Sequence, residues 1–201
     1  MAKLACAYPR LTVEIHIHDA FVDIVAQGFD AGIRLGEAVQ QDMVTVRLTP
    51  AFKAILAASP DYLEARGEPE AIADLSSHNC IGFRMLGSGG LYEWDLNDQG
   101  KDVSVRAAGT AVVTDATYAR DLALSGIGIA YGFEPLVRSD IREGRLKWVL
   151  PDSAVEEDGL FLYYPRRALH GAKTARLHRY RPEGIRAVAL AGCRRAVASH
   201  T

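Results

Sequence analysis

The chain has 201 residues, of which 49% are hydrophobic and 24% charged, and a formal net charge of −2. This composition is that of a globular protein long enough to bury a core, and it excludes a disordered or fibrous chain. No run approaches the roughly 18–20 apolar residues of a membrane helix, and no long apolar segment of a secretory signal opens the chain. Three widely spaced cysteines (Cys6, Cys80 and Cys193) predict reduced thiols in the cytoplasm rather than disulfides or a zinc site.

The near-neutral net charge conceals a basic C-terminal segment. Residues 166–201 contain nine basic residues and one acidic residue, so the rest of the chain is acidic. One interpretation is a basic arm that neutralises nucleic-acid phosphates. A second is a lineage-specific extension. The Arg- and Ala-rich composition favours a third, a frame-shifted end read from GC-rich coding DNA.

In chain order, the first predicted elements are a strand, a short helix and a second strand. Residues 11–17 alternate apolar and polar side chains, as a half-buried strand does. Asp19 is placed to cap a short helix that ends at Gly28, and residues 29–35 read as a buried parallel strand. This order predicts a βαβ unit with a right-handed crossover.

Short strands and helices then alternate along the chain. Helices are predicted to open at Ser59, Thr114–Asp115 and Pro135, with a short helical segment at 70–75. A β-hairpin is predicted at 91–105 with its turn at 97–100. Strands are predicted at 44–48, 52–58, 80–84, 111–113, 148–150 and 160–164. Residues 125–131 are predicted to be a glycine-containing turn that enters another buried strand. The alternation indicates an α/β fold.

The common enzyme motifs are absent from the sequence. There is no Gly-x-Ser-x-Gly elbow, no P-loop, no His-Glu-x-x-His and no cluster with metal-ligand spacing. Gly126 and Gly128 precede a predicted strand instead of opening a helix, unlike a dinucleotide-binding fingerprint. His16 and His18 lack a third ligand. The sequence therefore predicts no catalytic residue, no metal and no cofactor.

Six phrases of the sequence resemble the effector-binding domain of LysR-type transcriptional regulators, in family order and at family spacing over residues 8–168. They include Tyr-Pro-x-Leu-x-Val-x-Ile at 8–15 and Gly-Phe-Asp-Ala-Gly-Ile-Arg-Leu-Gly within 23–36. The others are Ala-Ala-Ser-Pro-Asp-Tyr-Leu at 57–63, Asp-Leu-Ser-Ser-His-Asn-Cys-Ile at 74–81, Ala-Leu-Ser-Gly-Ile-Gly-Ile-Ala at 123–130 and Glu-Gly-Arg-Leu-x-Trp-Val-Leu-Pro at 143–151.

The resemblance implies a two-lobed, type II periplasmic-binding-protein-like α/β fold with a hinge. Its first lobe would comprise 1–52 and 157–173, its second lobe 53–156, and residues 174–201 would form an atypical basic tail. Two departures from the family pattern are expected. First, the helix-turn-helix, the linker helix and a central strand before residue 8 would be missing, which would leave the first lobe incomplete. Second, the basic tail would stand where family members usually end with an amphipathic helix.

In such a fold the ligand meets strand C-termini and helix N-termini across a crevice, where free N–H groups attract anions. The candidate effector-binding residues at these places are His18, Asp19, Arg34, Gly36, Phe83, Arg84, Thr114, Asp115, Tyr131 and Phe133. A structural role is the alternative for most of them. Asp19, Thr114 and Asp115 would be helix caps, the arginines would form ion pairs, and the aromatic residues would belong to the core.

The function implied is that of a ligand-sensing module that binds a small metabolite, anionic or aromatic, in the inter-lobe cleft. DNA would be reached only through the missing N-terminal domain, and the partners would be the effector and a homodimer or a mixed dimer with intact relatives. A non-functional or dominant-negative remnant of such a regulator is one alternative. A solute-binding protein of a transporter is another, although the absence of a signal sequence argues against it.

Overall fold

The computed structural model describes residues 6–10, 12–17, 23–36 and 42–166. The chain divides into two compact units. The first unit comprises Met1–Ala51 with Asp158–Thr201, and the second unit is the continuous segment Phe52–Glu157.

Eleven strands and three α-helices lie within the described ranges. The strands are β1 Gly32–Leu35, β2 Met43–Arg47, β3 Phe52–Ala58, β4 Cys80–Phe83, β5 Glu93–Asp98, β6 Lys101–Arg106, β7 Val112–Val113, β8 Ile129–Phe133, β9 Lys147–Val149, β10 Val155–Glu157 and β11 Leu160–Pro165. The helices are α1 Pro60–Arg66, α2 Ala116–Leu124 and α3 Glu134–Arg142, and short 3-10 turns occupy Ile72–Ser77 and Pro151–Ser153.

The described sheet of the first unit has three strands in the order β1-β11-β2, with both pairings antiparallel. Arg34 on β1 lies opposite Phe161 on β11, and Phe161 lies opposite Arg47 on β2. The Arg47 guanidinium carbon stands 4.5 Å above the Phe161 ring centroid, so this row of the sheet places an aromatic ring between two arginines.

The strand predicted at 11–17 is absent over 12–17, the part that is described. The alternation of apolar and polar side chains gives a segment one apolar face that can be buried. A strand also needs a neighbouring strand to share its backbone hydrogen bonds. No described strand pairs with this segment, and Val13, Ile15 and Ile17 are 40%, 49% and 51% exposed. The βαβ prediction is therefore wrong for the described residues, and β1 is antiparallel to its partner rather than parallel.

Residues 23–29 form a single turn where the sequence predicted the body of a helix. The Asp23 carboxylate accepts hydrogen bonds from the Val25 and Ala26 N–H groups, at 2.9 and 3.1 Å. An aspartate that binds the N–H groups two and three residues ahead offers the backbone a turn in place of a continuing helix. The predicted cap, Asp19, lies outside the described residues.

The sheet of the second unit has the strand order β10-β3-β8-β4-β7, and β9 pairs with the C-terminal end of β3. β4 is parallel to both β7 and β8, whereas β3 is antiparallel to β8, β9 and β10. All five residues from Ala54 to Ala58 on β3 are at most 2% exposed. A continuous apolar run of this kind is typical of a strand covered on both faces.

Two layers cover this sheet. α2 and α3 pack on one face, where Ala119, Ala123 and Val137 meet a cluster of strand residues that includes Ile55, Ile81 and Ala130. The β5–β6 hairpin lies on the opposite face, because Tyr131, the neighbour of Ala130 on β8, stacks on Trp94 with 5.8 Å between ring centroids.

A buried carboxylate links the two helices. Asp140 on α3 has no exposed surface and accepts two hydrogen bonds from Arg120 on α2, at 2.6 and 2.8 Å. Arg145, in the turn after α3, approaches the same carboxylate at 2.6 Å. The hydrogen bonds to Asp140 raise the pKa of the Arg120 guanidinium, so Arg120 keeps its charge.

In the first unit, the two segments that lead to and from the second unit run side by side. The Leu48 N–H donates to the Leu160 carbonyl at 2.7 Å, and the Leu160 N–H donates to the Thr49 hydroxyl at 2.9 Å. Gly159 sits between them with φ +94°, and a Cβ there would lie 2.5 Å from the Pro50 carbonyl oxygen. Only glycine fits both this backbone conformation and this spacing.

Candidate functional site

The ends of three parallel strands define one edge of the second unit. Phe83 pairs with Val113, and Ile81 pairs with Ala130, so β4, β7 and β8 end at the same level. The chain also enters this unit at Phe52 and leaves it at Glu157, which pair with each other at the same edge. The predicted second-lobe residues therefore come together along the edge where the chain crosses to the first unit.

Thr114 and Asp115 lie between β7 and α2, and their roles differ. Asp115 is the N-cap of α2, because its carboxylate accepts the Thr117 N–H at 2.7 Å. Thr114 is exposed and takes no part in that cap. At this edge Thr114 thus offers a hydroxyl beside a helix N-terminus, where backbone N–H groups favour anions.

Phe83 ends β4 and Arg84 opens the loop that follows. Phe83 is buried at 4% exposure, whereas Arg84 is exposed. One guanidinium nitrogen of Arg84 donates to the Gly89 carbonyl at 2.7 Å, and Arg84 and Leu91 form an isolated antiparallel bridge. The arginine therefore closes its own loop, in which Leu86 is 58% exposed.

The two predicted aromatic residues of β8 are buried within the second unit. Tyr131 is 4% exposed and donates its hydroxyl to the Asp95 carbonyl at 3.2 Å. Phe133 is 5% exposed and meets the Phe52 ring edge-on at 5.3 Å. Both rings are packed as core residues are, while their backbone stands at the same edge as the Arg84 loop and Thr114.

In the first unit, Arg34 and Gly36 lie at the end of β1. The Gly36 N–H donates to the Gly159 carbonyl at 3.0 Å, which places the end of β1 beside the segment that returns from the second unit. Arg34 is half-buried, and its Nε donates to the Tyr163 hydroxyl at 3.0 Å. His18 and Asp19 lie outside the described residues.

Sequence reasoning missed Tyr163 and Gly32, which both bear on Arg34. Tyr163 is 129 positions away from Arg34 along the chain. The contact depends on the β1–β11 register, which pairs Gly32 with Tyr163. Nothing in the local pattern of either strand encodes that register, so only the pairing reveals the contact.

Within the described ranges, no three His, Cys, Asp or Glu side chains are close enough together to hold a metal ion. In the same ranges no helix is long and apolar enough to cross a membrane.

Comparison with known proteins decides the family. The family model described as the LysR substrate binding domain matches residues 1–183. The chain belongs to the LysR substrate-binding domain family. A transcriptional regulator of Pseudomonas aeruginosa is 40% identical over 167 residues, covering 83% of this chain and 55% of that protein. The HTH-type transcriptional regulator YcaN of Escherichia coli K12 is 37% identical over 160 residues, covering 80% and 52% respectively.

Solved structures give the same fold. The regulatory domain of CrgA, a LysR-type transcriptional regulator from Neisseria meningitidis, superposes with a TM-score of 0.74 at 23% identity, covering 91% of this chain and 88% of that one. Full-length AphB of Vibrio cholerae superposes with a TM-score of 0.75 at 22% identity, covering 90% and 60%. The predicted α/β, type II periplasmic-binding-protein-like fold is thereby confirmed.

This LysR substrate-binding domain spans about half the length of the curated relatives it matches. The relatives are transcriptional regulators, and the chain corresponds to their effector-binding domain. The individual effector-binding residues and the lobe boundaries remain predictions.

Proposed function

We propose that the chain is the ligand-sensing module of a LysR-type transcriptional regulator, which binds a small anionic or aromatic metabolite in the cleft between its two lobes. One observation carries the proposal most strongly. In the first unit, Gly36 follows β1 and binds Gly159, beside the segment where the chain returns from the second unit. In the second unit, Thr114 follows β7 at the sheet edge where Phe52 and Glu157, the ends of that unit, also lie.

The chemistry of these positions suits a small polar ligand. In open α/β sheets, ligands bind outside the carboxyl ends of the parallel strands, where helix N-termini supply N–H groups. Arg34 contributes positive charge and Thr114 a hydroxyl, which orient a ligand without reacting with it. The proposed role is therefore binding, without catalysis, metal or cofactor.

Binding would act on transcription by population shift. An effector that prefers one arrangement of the lobes shifts the equilibrium toward it by its differential affinity for the two arrangements. The DNA-reading part is proposed to be a helix-turn-helix outside this chain. It would be engaged through a homodimer, or through a mixed dimer with an intact relative, in the cytoplasm.

The test is thermal unfolding of the 201-residue chain against a panel of small carboxylates, aromatic acids and neutral metabolites. A ligand present at 100 times its dissociation constant stabilises the folded state by about 2.7 kcal/mol, which raises the melting temperature by several degrees. Thr114→Ala should reduce the shift that a stabilising compound causes, and Tyr118→Phe, an exposed change on α2, should leave it unchanged.

Two results would contradict the proposal. One is a panel in which no compound raises the melting temperature. The other is binding of a cognate DNA duplex by this chain alone at micromolar concentration, because the DNA reader is proposed to lie elsewhere. Repression of an intact relative on co-expression, with no ligand response, would support the dominant-negative remnant instead.

A further inference from the structure

Two connecting segments of the first unit, residues 47–50 and 158–160, lie side by side where the chain leaves this unit and returns to it. The Leu160 carbonyl accepts the Leu48 N–H at 2.7 Å and the Thr49 N–H at 3.3 Å. Backbone hydrogen bonds of this kind are open to any sequence that follows the same path. Two side chains add further bonds between the segments, and those bonds depend on the residue types present.

Thr49 supplies the first of these side-chain bonds. Its hydroxyl accepts the Leu160 N–H at 2.9 Å, so the bond crosses from one segment to the other. Gly159 leaves the space that this hydroxyl occupies, because a Cβ built at position 159 would stand 2.9 Å from Thr49 Oγ1, closer than real Cβ atoms approach. The side-chain bond and the glycine beside it therefore depend on each other.

Arg47 supplies the second side-chain bond. One of its guanidinium nitrogens donates to the Asp158 carbonyl, again from one segment to the other. The guanidinium carbon stands 4.5 Å from the Phe161 ring centroid, and Phe161 is only 5% exposed. A buried ring thus supports the flat face of the arginine, which reduces the rotamer freedom of an otherwise exposed side chain.

The chain is joined again at the border of the second unit, where Phe52 pairs with Glu157. Between the two bonded regions lie two short junctions, residues 50–52 on the outward crossing and residues 157–158 on the return. Pro50 fixes one backbone angle of the first junction. A change in the arrangement of the two units therefore has few backbone angles in which to take place.

We propose that Arg47 and Thr49 form a clasp that makes the two connecting segments move as one body, so that bending between the two units is confined to the junctions at 50–52 and 157–158. The regulatory consequence rests on the proposed function, in which an effector selects among arrangements of the lobes. A clasped hinge has fewer arrangements than two independent connections. Less of the effector's binding free energy is then lost in ordering the connecting segments.

The experiment measures the distribution of distances between two spin labels, one in each unit, by double electron–electron resonance on the full chain. The labels are attached through Gln27→Cys and Tyr118→Cys, which are exposed positions in the first and second unit. The background is Cys6→Ser, Cys193→Ser. The remaining cysteine, Cys80, is buried and stays unlabelled.

Two variants open the clasp. Thr49→Val keeps the shape of the side chain and removes the hydroxyl, and Arg47→Met keeps the stem and removes the guanidinium. We expect each variant to broaden the distance distribution and the double variant to broaden it most. In Thr49→Val, the Leu160 amide should also exchange its hydrogen about fivefold faster, the effect of one lost hydrogen bond. Thr49→Ser, which keeps a hydroxyl, should retain the width of the wild type.

Thr45→Val and Arg10→Met are the matched controls, because they make the same chemical changes in the first unit outside the connecting segments. Both should leave the width of the distribution unchanged. A merely structural role for Arg47 and Thr49 would lower the melting temperature of their variants without changing that width. This result would overturn the inference, and so would equal broadening in the controls.

The proposed function is judged by a different measurement, the thermal shift with metabolites. If opening the clasp broadens the distribution but no metabolite stabilises the chain, the clasp is supported and effector sensing is lost. If a metabolite stabilises the wild type but opening the clasp changes no width, effector sensing is supported and the clasp is overturned.

Discussion

Thr114 and Asp115 are neighbours with opposite expected responses to truncation. The Asp115 carboxylate caps α2 through the Thr117 N–H, whereas Thr114 is exposed beside it. We expect Asp115→Ala to lower the free energy of unfolding by about 1 kcal/mol, the usual effect of losing an N-cap. Thr114→Ala should leave stability within about 0.5 kcal/mol. Urea denaturation of both variants measures the difference, and equal losses would contradict the division of roles.

At Cys80, burial raises the pKa of the thiol to about 11, and a hydrogen bond involving the Ala108 backbone opposes this rise. The thiol therefore stays protonated at pH 8 and should react slowly with iodoacetamide, which attacks the thiolate. In a Cys6→Ser, Cys193→Ser background, we expect the folded chain to react about a hundredfold more slowly than the urea-unfolded chain at pH 8. Rapid modification of the folded chain would show that Cys80 is not shielded.

The raised pKa of Cys80 also determines how its contribution to the free energy of unfolding changes with pH. The pKa of Cys80 is higher in the folded state than its ordinary value of 9.0, so its contribution to stability is complete below pH 9. It is lost as the pH rises from 9 toward 11, because the unfolded thiol ionises first. Cys80→Ala should therefore flatten the fall in stability over this range.

At the scale of elements, α2 and α3 are joined through one carboxylate. Asp140 is completely buried and meets Arg120 and Arg145, whose side chains are 22% and 50% exposed. Asp140→Ala leaves two guanidinium groups near each other without their anion, and should lower the free energy of unfolding by about 3 kcal/mol. Asp121→Ala is the control, because Asp121 is 54% exposed and pairs only at the surface, so its loss should be under about 1 kcal/mol. Equal losses of unfolding free energy in the two variants, measured by denaturation, would contradict the role of Asp140 in joining α2 and α3.

Elements whose signal is local were predictable from the sequence. The hairpin turn at 97–100 is confirmed by positive φ at Gln99 and Gly100, and α1 begins directly after Ser59, as predicted. The strand predicted at 11–17 is wrong over residues 12–17, because alternation of apolar and polar residues describes one segment alone, while a strand forms only beside a neighbouring strand. The parallel partner predicted for β1 fails for the same reason.

In the candidate site, too, local features were predictable from the sequence, whereas contacts between distant segments were not. The positions of Thr114, Asp115 and Arg84 after strands were predictable, because a strand end can be recognised from one segment at a time. Tyr163 could not be linked to Arg34, since their contact depends on the register of strands far apart in the sequence. The buried state of Tyr131 and Phe133 likewise depends on the β5–β6 hairpin and on Phe52.

At the scale of the whole molecule, the second unit is one continuous segment, Phe52–Glu157, with its own apolar cluster. Its two ends are paired strands, so excision leaves them joined by hydrogen bonds. We expect a fragment of residues 52–157 to fold alone and to unfold cooperatively. Both tryptophans, Trp94 and Trp148, lie within it, so their fluorescence should report the same midpoint in the fragment and in the full chain.

A fragment of residues 59–157 is the matched control, because it lacks β3, the strand that joins β8, β9 and β10. It should show no cooperative transition. A fragment 52–157 that is unfolded in buffer, as judged by circular dichroism, would contradict the independence of this unit.

Gly159 has a consequence for how freely the sequence can vary. Its φ of +94° and the 2.5 Å between a built Cβ and the Pro50 carbonyl oxygen leave no room for a side chain of any chemistry. In a complete substitution library, all nineteen replacements at this position should therefore prevent correct folding, irrespective of their charge, size or polarity. Exposed positions nearby, such as Arg47, should instead accept some replacements and reject others. Uniform failure marks a constraint on the path of the backbone, whereas graded failure marks a role for the side chain.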